Sequence, residues 1–187
     1  MHNAKNQLLE IVKELGYLED SVTFQTDFNA TESIFYSNAL LSLNNKLHIE
    51  AIGTGSKKKA AEINASQHLI ILMKEQYPDL MIDWAQIRIA AQAGDGLIKL
   101  CAYLTETIPS AAEKSFWLQK IETDKHMVEI FEQLKIQQHP DVIFFGDNLG
   151  AKRKATWIEA LIWEKFGQAI IAPSAKTGFK ELVQFLA

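Results

Sequence analysis

The sequence has little of what an exported or membrane-bound protein needs. Its single cysteine, Cys101, cannot form a disulfide within the chain, which fits a reducing compartment. The longest apolar run, Leu69–Met73, is far too short to cross a membrane. The N-terminus, MHNAKNQ, is polar and carries no secretory signal pattern. These absences predict a soluble, cytoplasmic protein with no membrane partner.

The sequence also has no excess of positive charge. Its 19 basic and 23 acidic residues give a formal net charge of −4. Proteins that bind nucleic acids usually carry a basic surface. Any phosphate-binding surface here must therefore be local, and we expect its affinity for phosphate to be modest.

The stretch Gly53–Met73 has the most informative pattern in the chain. A Gly-Thr-Gly segment, which we interpret as a turn, precedes three consecutive lysines, Lys57, Lys58 and Lys59. The apolar period then becomes helical, so the lysines are predicted to lie at the N-terminus of a helix. Ammonium groups beside free backbone N–H groups favour an anion there. Several cations in a row suit a polyphosphate backbone. The predicted buried stripe of this helix is Ala61, Ala65, Leu69, Leu72 and Met73.

The residues before this stretch predict one helix and three antiparallel strands. Asn44-Asn45 is a two-residue hairpin signal, because asparagine tolerates positive φ. Gly16 is a natural stop for the helix. The predicted ranges are a helix over Lys5–Leu15 and strands over Val22–Phe28, Ser33–Leu43 and Lys46–Ile52.

This order of elements, with the Gly-x-Gly and lysine pattern at its end, resembles the double-stranded-RNA-binding domain over about residues 4–75. The resemblance implies that Lys57, Lys58 and Lys59 contact phosphates and that Glu10 hydrogen-bonds a 2′-OH. Two positions depart from the family. Its third lysine falls on Glu62, and its Gly-Pro-x-His loop is replaced by residues 29–32, Asn-Ala-Thr-Glu.

The second half has no strand alternation and is predicted to be helical. The predicted fold class is therefore α+β, with an αβββα domain over residues 1–76 and an all-α domain over residues 81–187. Ser110 and Glu113 form a capping-box pattern. We interpret Trp117, Trp157 and Trp163 as core residues. The predicted helices are Asp83–Thr105, interrupted at Gly94–Gly96; Ser110–Leu134, broken near Thr123; Ala155–Phe166; and Ser174–Leu186.

Two pieces of this half, residues 93–100 and 154–162, resemble the acidic helices of the ribonuclease III family. The resemblance implies catalytic and metal-ligand roles for Asp95 and Glu159, because that chemistry uses carboxylates to hold Mg²⁺. The family's other carboxylate positions fall on Arg88, Ala91 and Thr156, which are unsuitable ligands. Structural roles are the alternative: Asp95 as the N-cap of a helix starting at Gly96, and Glu159 hydrogen-bonded to Lys154 or Arg88.

Together these patterns predict a ribonuclease III-like protein that binds structured or double-stranded RNA and has lost most of its metal ligands. We expect no efficient nuclease and no tightly bound cofactor, with Mg²⁺ needed only if activity survives. Two alternatives stay open: an active Mg²⁺-dependent endoribonuclease that recruits Asp147 or Glu164, and a protein-interaction module. The resemblance also implies a homodimer, for which we predict a helix stripe of Ile87, Ala91, Gly94, Ile98 and Ala102.

Overall fold

The chain forms two compact units. The computed structural model describes residues 3–44, 47–106, 108–134, 145–171 and 175–186. The first unit comprises Met1–Ile82 with Pro140–Leu149, and the second comprises Asp83–His139 with Gly150–Ala187. In the described part of the chain, no helix combines the length and apolar character that crossing a membrane requires.

The first unit has three antiparallel strands flanked by helices, which confirms the predicted α+β class. In sequence order its elements are α1 (Ala4–Glu14), β1 (Val22–Asn29), β2 (Ile34–Leu43), β3 (Leu47–Gly55) and α2 (Lys58–Gln76). The strands are hydrogen-bonded in the order β1-β2-β3. Short 3₁₀ turns occupy Glu19–Ser21 and Pro78–Leu80.

Buried and exposed residues alternate along the strands, so only one face of the sheet is covered. In β2, Ser37, Ala39, Leu41 and Leu43 are buried, whereas the residues between them are partly exposed. The buried face packs with α1 and α2 in one hydrophobic core. The stripe predicted for α2 is part of this core: Ala61, Ala65, Leu69 and Met73 are fully buried, and Leu72 is partly buried.

Two turn residues take the positive φ angles that their types tolerate. Gly16 has φ +84° and donates its N–H to the carbonyl of Lys13 at 3.0 Å, so it ends α1 as predicted. Asn44, after β2, has φ +49°. The other residue of the predicted hairpin turn, Asn45, lies outside the described residues.

A short segment from the middle of the second half of the sequence belongs to the first unit. Gly146 donates to the carbonyl of Leu15 at 2.8 Å, and Asn148 donates to that of Gly16 at 3.0 Å. A Cβ on Gly16 would lie 2.6 Å from the backbone nitrogen of Leu149, so this approach requires glycine. Phe145 and Leu149 are buried beside it.

The Gly-Thr-Gly segment is not a turn, and our interpretation of it was wrong. Gly53 and Gly55 are residues of β3, and the connection to α2 follows them. A Cβ on Gly53 would lie 2.0 Å from the backbone nitrogen of Ala65. These glycines therefore let the backbone of α2 lie directly against the strand.

The second unit is helical. Its elements are α3 (Trp84–Leu104), α4 (Ala111–Ile121), α5 (Asp124–Gln133), α6 (Ala151–Ile171) and α7 (Ala175–Leu186). The capping box of Ser110 and Glu113 is confirmed. The predicted break near Thr123 is also confirmed, because the Thr123 side chain accepts from the N–H of His126 and caps α5.

Two predictions about α3 were wrong. The helix runs through Gly94–Gly96 without interruption, so Asp95 is an interior helix residue and not an N-cap. The stripe proposed for a homodimer is also mostly covered within its own unit: Ala91, Gly94, Ile98 and Ala102 are buried, α3 packs on α6, and Ile87 alone of the five is partly exposed. A homodimer stays a prediction, but the four buried residues of this stripe cannot form its surface.

Candidate functional site

The start of α2 carries the predicted lysine cluster on its surface. Lys57 is the N-cap residue, with an extended backbone and no side-chain cap, and its carbonyl accepts the N–H groups of Ala60 and Ala61. The N–H groups of Lys58 and Lys59 come before the first hydrogen bonds of the helix and therefore have no carbonyl partner within it. All three lysine side chains are exposed. Positive charge and free backbone donors therefore coincide at one helix end.

In the part of the chain that the structure describes, these three lysines have no internal partner, unlike several but not all of the other lysines. Lys5, Lys99 and Lys154 each form an ion pair with a carboxylate. Within the described residues, no ion pair or hydrogen bond engages the side chain of Lys57, Lys58 or Lys59. Their charges are compensated by solvent alone, so they are available to an external anion.

The residue at the family's third lysine position has an internal role. The carboxylate of Glu62 accepts from Lys5 Nζ at 2.6 Å, and its side chain is only 14% exposed. The same ammonium lies 4.3 Å from the ring centroid of Phe24. Glu62 thus joins α2 to α1 and reduces the positive charge one turn beyond the lysine cluster.

The loop between β1 and β2 closes on itself and carries an acid. The side chain of Asn29 accepts the N–H groups of Thr31 and Glu32 at 3.0 and 3.3 Å. Ser33 has φ +55°. The hydroxyl of Tyr36 donates to Glu32, and this bond raises the pKa of Tyr36. Glu10, the other predicted RNA contact, is exposed on α1.

Asp95 and Glu159, the predicted catalytic pair, lie on helices that approach very closely. A Cβ on Gly94 would lie 1.9 Å from the carbonyl oxygen of Glu159. Burial raises the pKa of Glu159 to about 7, and the charges of Asp95 and Asp124 contribute to this rise against the opposing effect of Lys99. The structure therefore brings the predicted pair into electrostatic contact.

The carboxylate of Asp95, a predicted metal ligand, is already paired with the ammonium group of Lys99. Lys99 Nζ donates to the Asp95 carboxylate at 2.7 Å and lies 3.9 Å from Glu122. Mg²⁺ needs several oxygen ligands and their negative charge. Among the residues that the structure describes, no group of three or more His, Cys, Asp or Glu side chains is placed to hold a metal ion. The residues present do not fit a Mg²⁺ site.

The residues at the family's other ligand positions point to structural roles. Ala91 is buried, and Arg88 is exposed and donates from Nε to the carbonyl of Trp84 at 3.1 Å. Thr156 is half-buried on α6. Lys154, one predicted partner of Glu159, pairs with Glu132 instead.

The two acids suggested as replacement ligands have other surroundings. Asp147 belongs to the first unit, where burial and then the charge of Asp147 raise the pKa of Tyr17 to about 12. Glu164 lines a separate groove on α6. The carboxylate that the sequence did not reveal is Asp124, at the start of α5, whose charge acts on Glu159. No local pattern could find it, because 35 residues separate the two, from 124 to 159.

A groove of about 590 Å³ lies between α3 and α6. Trp157 and Trp163 line it and are only half-buried, as is Trp117 on α4, so our interpretation of these tryptophans as core residues was wrong. Trp157 and Trp84 form a T-shaped pair, with ring centroids 6.5 Å apart. The remaining lining residues are Gln86, Ile87, Ala90, Ala160, Leu161, Glu164 and Gln168.

Comparisons of the chain with protein-family models, curated proteins and solved structures find no match.

Proposed function

We propose that the protein binds structured or double-stranded RNA through the start of α2. The observation that carries this proposal is the set of three adjacent lysines, exposed at a helix N-terminus and without an internal partner among the described residues. Backbone donors, the helix dipole and the ammonium groups act on an anion in the same direction. A chain of phosphates can engage all three lysines at once.

The order of elements favours RNA as the source of those phosphates. The αβββα arrangement resembles a domain that reads the shape and 2′-OH groups of A-form helices. Glu10, exposed on α1, has a carboxylate that could accept from a 2′-OH. Lysine contacts to phosphate carry no base information, so binding is expected to be independent of sequence.

The same surroundings keep the affinity modest. Glu62 replaces a lysine and is already paired with Lys5, and Glu32 places a carboxylate in the β1–β2 loop. The chain as a whole carries a net charge of −4. Binding then depends on one local cluster, and it weakens steeply as salt screens that cluster.

The second unit is proposed to resemble a ribonuclease III domain without its metal chemistry. Lys99 neutralises Asp95, and the positions of three further ligands hold Arg88, Ala91 and Thr156. This arrangement gives no support to hydrolysis. If the protein does not bind RNA, the alternative function is protein interaction through both units.

Replacing Lys57, Lys58 and Lys59 together by alanine tests the proposal. Affinity for a fully paired RNA duplex should fall, and the slope of log K against log salt should flatten by about 0.9 for each phosphate that the lysines no longer neutralise. Lys74→Ala is the matched control, because Lys74 is exposed at the opposite end of the same helix. Absence of duplex binding by the unchanged protein at low salt would refute the proposal.

A further inference from the structure

Two aromatic rings lie at one end of the sheet in the first unit. The rings of Phe28 and Phe35 have centroids 4.9 Å apart and an interplanar angle of 50°. Phe28 is 56% exposed on the edge strand β1. Isolated exposed apolar residues are ordinary on a protein surface, whereas a pair of packed rings beside a charged cluster is a more specific feature.

Strand register places this pair next to the strand end that leads into α2. Phe28 is paired with Phe35, and Phe35 is paired with Gly55 on β3. A Cβ on Gly55 would lie 2.7 Å from the nitrogen of Ala61, so the first turn of α2 lies directly against this strand end. Gly55 therefore lies between the two rings on one side and the first turn of α2 on the other.

The rings also lie on the same face of the sheet as the helix. Residues of a strand alternate between faces, so Phe35 shares its face with the buried Ser37 and Ala39. By the same alternation, the acidic Asp27 beside Phe28 lies on the opposite face. No carboxylate of β1 or β2 therefore lies on the helix-facing side between the rings and the lysines.

The separation of the two features suits a nucleic-acid strand. Neighbouring strands are about 4.8 Å apart, and the two residues from Gly55 to Lys57 span at most about 7 Å. The backbone of Phe35 is then within about 12 Å of that of Lys57. At a rise of about 3.4 Å per nucleotide, the value for a DNA strand, this upper limit corresponds to no more than three or four stacked nucleotides.

We infer that Phe28 and Phe35 stack an unpaired base of the same nucleic acid whose phosphates Lys57, Lys58 and Lys59 hold. The inference rests on the proposed function and defines its substrate class as a duplex interrupted or ended by an unpaired nucleotide. The faces of bases inside an A-form duplex are stacked on their neighbours and cannot receive an aromatic ring, whereas unpaired bases stack readily on aromatic rings. The lysines supply attraction without selectivity, and the rings supply the preference for the unpaired nucleotide.

The test compares a fully paired RNA hairpin with one that carries a single unpaired 2-aminopurine beside the stem. The unchanged protein should bind the second about 5-fold to 100-fold more tightly, with quenching of the 2-aminopurine by stacking. Phe28→Ala should reduce its affinity to that of the paired hairpin, whose binding should not change. Phe28→Trp should keep both the preference and the quenching.

Ile52→Ala is the matched control. Ile52 is 62% exposed on β3 and alternates with Gly53, so it lies on the opposite face of the same sheet. Circular dichroism and thermal unfolding of each variant establish that the sheet has folded. A probe with a deoxyribose at the unpaired position should retain the preference, because stacking does not depend on the 2′-OH; loss of the preference with it would overturn stacking as the cause.

The outcomes separate this inference from the proposed function. Equal binding of both hairpins by the unchanged protein, abolished by alanine at the three lysines, would overturn the inference and leave the proposed function standing. The same conclusion follows if Phe28→Ala weakens both hairpins equally. Failure to bind either hairpin at low salt would overturn both.

Discussion

Replacing Gly94 by alanine should separate α3 from α6 and destabilise the second unit. The added Cβ would lie 1.9 Å from the carbonyl oxygen of Glu159 and 2.8 Å from its carbonyl carbon. Both atoms are backbone, so no side chain can move aside. Restoring an ordinary contact of about 3.4 Å would require a shift of about 1.5 Å, which a close-packed interface does not absorb easily.

The expected loss is about 2 to 4 kcal/mol of unfolding free energy. Overpacking of a core commonly costs about 1 to 3 kcal/mol, and a collision with backbone belongs at the upper end. For a domain of this size, each kcal/mol shifts Tm by about 4 to 8 °C, so Tm should fall by roughly 10 °C or more. Separation would also loosen the packing of buried residues on both helices, including Ala91, Ile98 and Ile158.

Gly96→Ala is a control in the same helix. A Cβ there meets nothing within 4 Å, and the residue is exposed. Because alanine is a better helix former than glycine, this variant should be stabilised by about 0.5 to 1 kcal/mol. The two substitutions add the same methyl group two residues apart and should shift stability in opposite directions.

Tryptophan fluorescence during denaturant unfolding reports on the second unit specifically. The chain has four tryptophans, at positions 84, 117, 157 and 163, and all belong to that unit. The midpoint should decrease for Gly94→Ala and increase for Gly96→Ala. If Gly94→Ala unfolds within about 0.5 kcal/mol of the unchanged protein, the close approach of α3 and α6 would be refuted.

Two further predictions concern Glu159 and metal-dependent activity. Its pKa of about 7 exceeds the value of 4.5 expected when unfolded, so the folded state binds more protons between these pH values and loses stability as pH rises through that window. The loss of unfolding free energy should be roughly 1 to 2 kcal/mol after allowance for solvent screening. Glu159→Gln should flatten the dependence of unfolding free energy on pH, measured by tryptophan fluorescence. If the variant shows the same dependence as the unchanged protein, the raised pKa is contradicted. The second prediction is that the protein does not cleave duplex RNA at a useful rate with Mg²⁺ in a gel assay, because Lys99 neutralises Asp95. Robust cleavage that Asp95→Ala abolishes would show the nuclease alternative to be correct.

Local patterns were sufficient for the order of the elements in the first unit. Alternation revealed the three strands, and a helical stripe that includes Ala65 and Leu69 revealed α2 and its buried side. The capping box at Ser110 and the stop at Gly16 were also found, because each signal lies within a few residues of the end that it marks. Such features depend only on residues that are close together in the sequence, so they can be predicted from the sequence alone.

The errors arose where glycine serves a distant contact. From sequence alone, Gly53 and Gly94 are both predicted to be breaks in regular structure, yet each lies inside an element and lets another backbone approach. The partner backbone of Gly94 is that of Glu159, 65 residues later. A glycine that permits close packing and one that ends a helix look alike in sequence, since the difference lies in an atom far along the chain.

The candidate sites show the same division between local and distant information. Lys57, Lys58 and Lys59 lie at one helix start, so sequence alone could locate them there, and phosphate binding by them stays a prediction. The surroundings of Glu159 depend on α3 and α5, because Asp95, Lys99 and Asp124 all act on its charge. Lys99 is four residues after Asp95, and this spacing favours an ion pair on any helix. The pair can form only because α3 continues through Gly96. Once α3 is continuous, the helix itself supplies the cation for Asp95. The proposed function therefore rests on the exposed lysines of the first unit and not on this carboxylate.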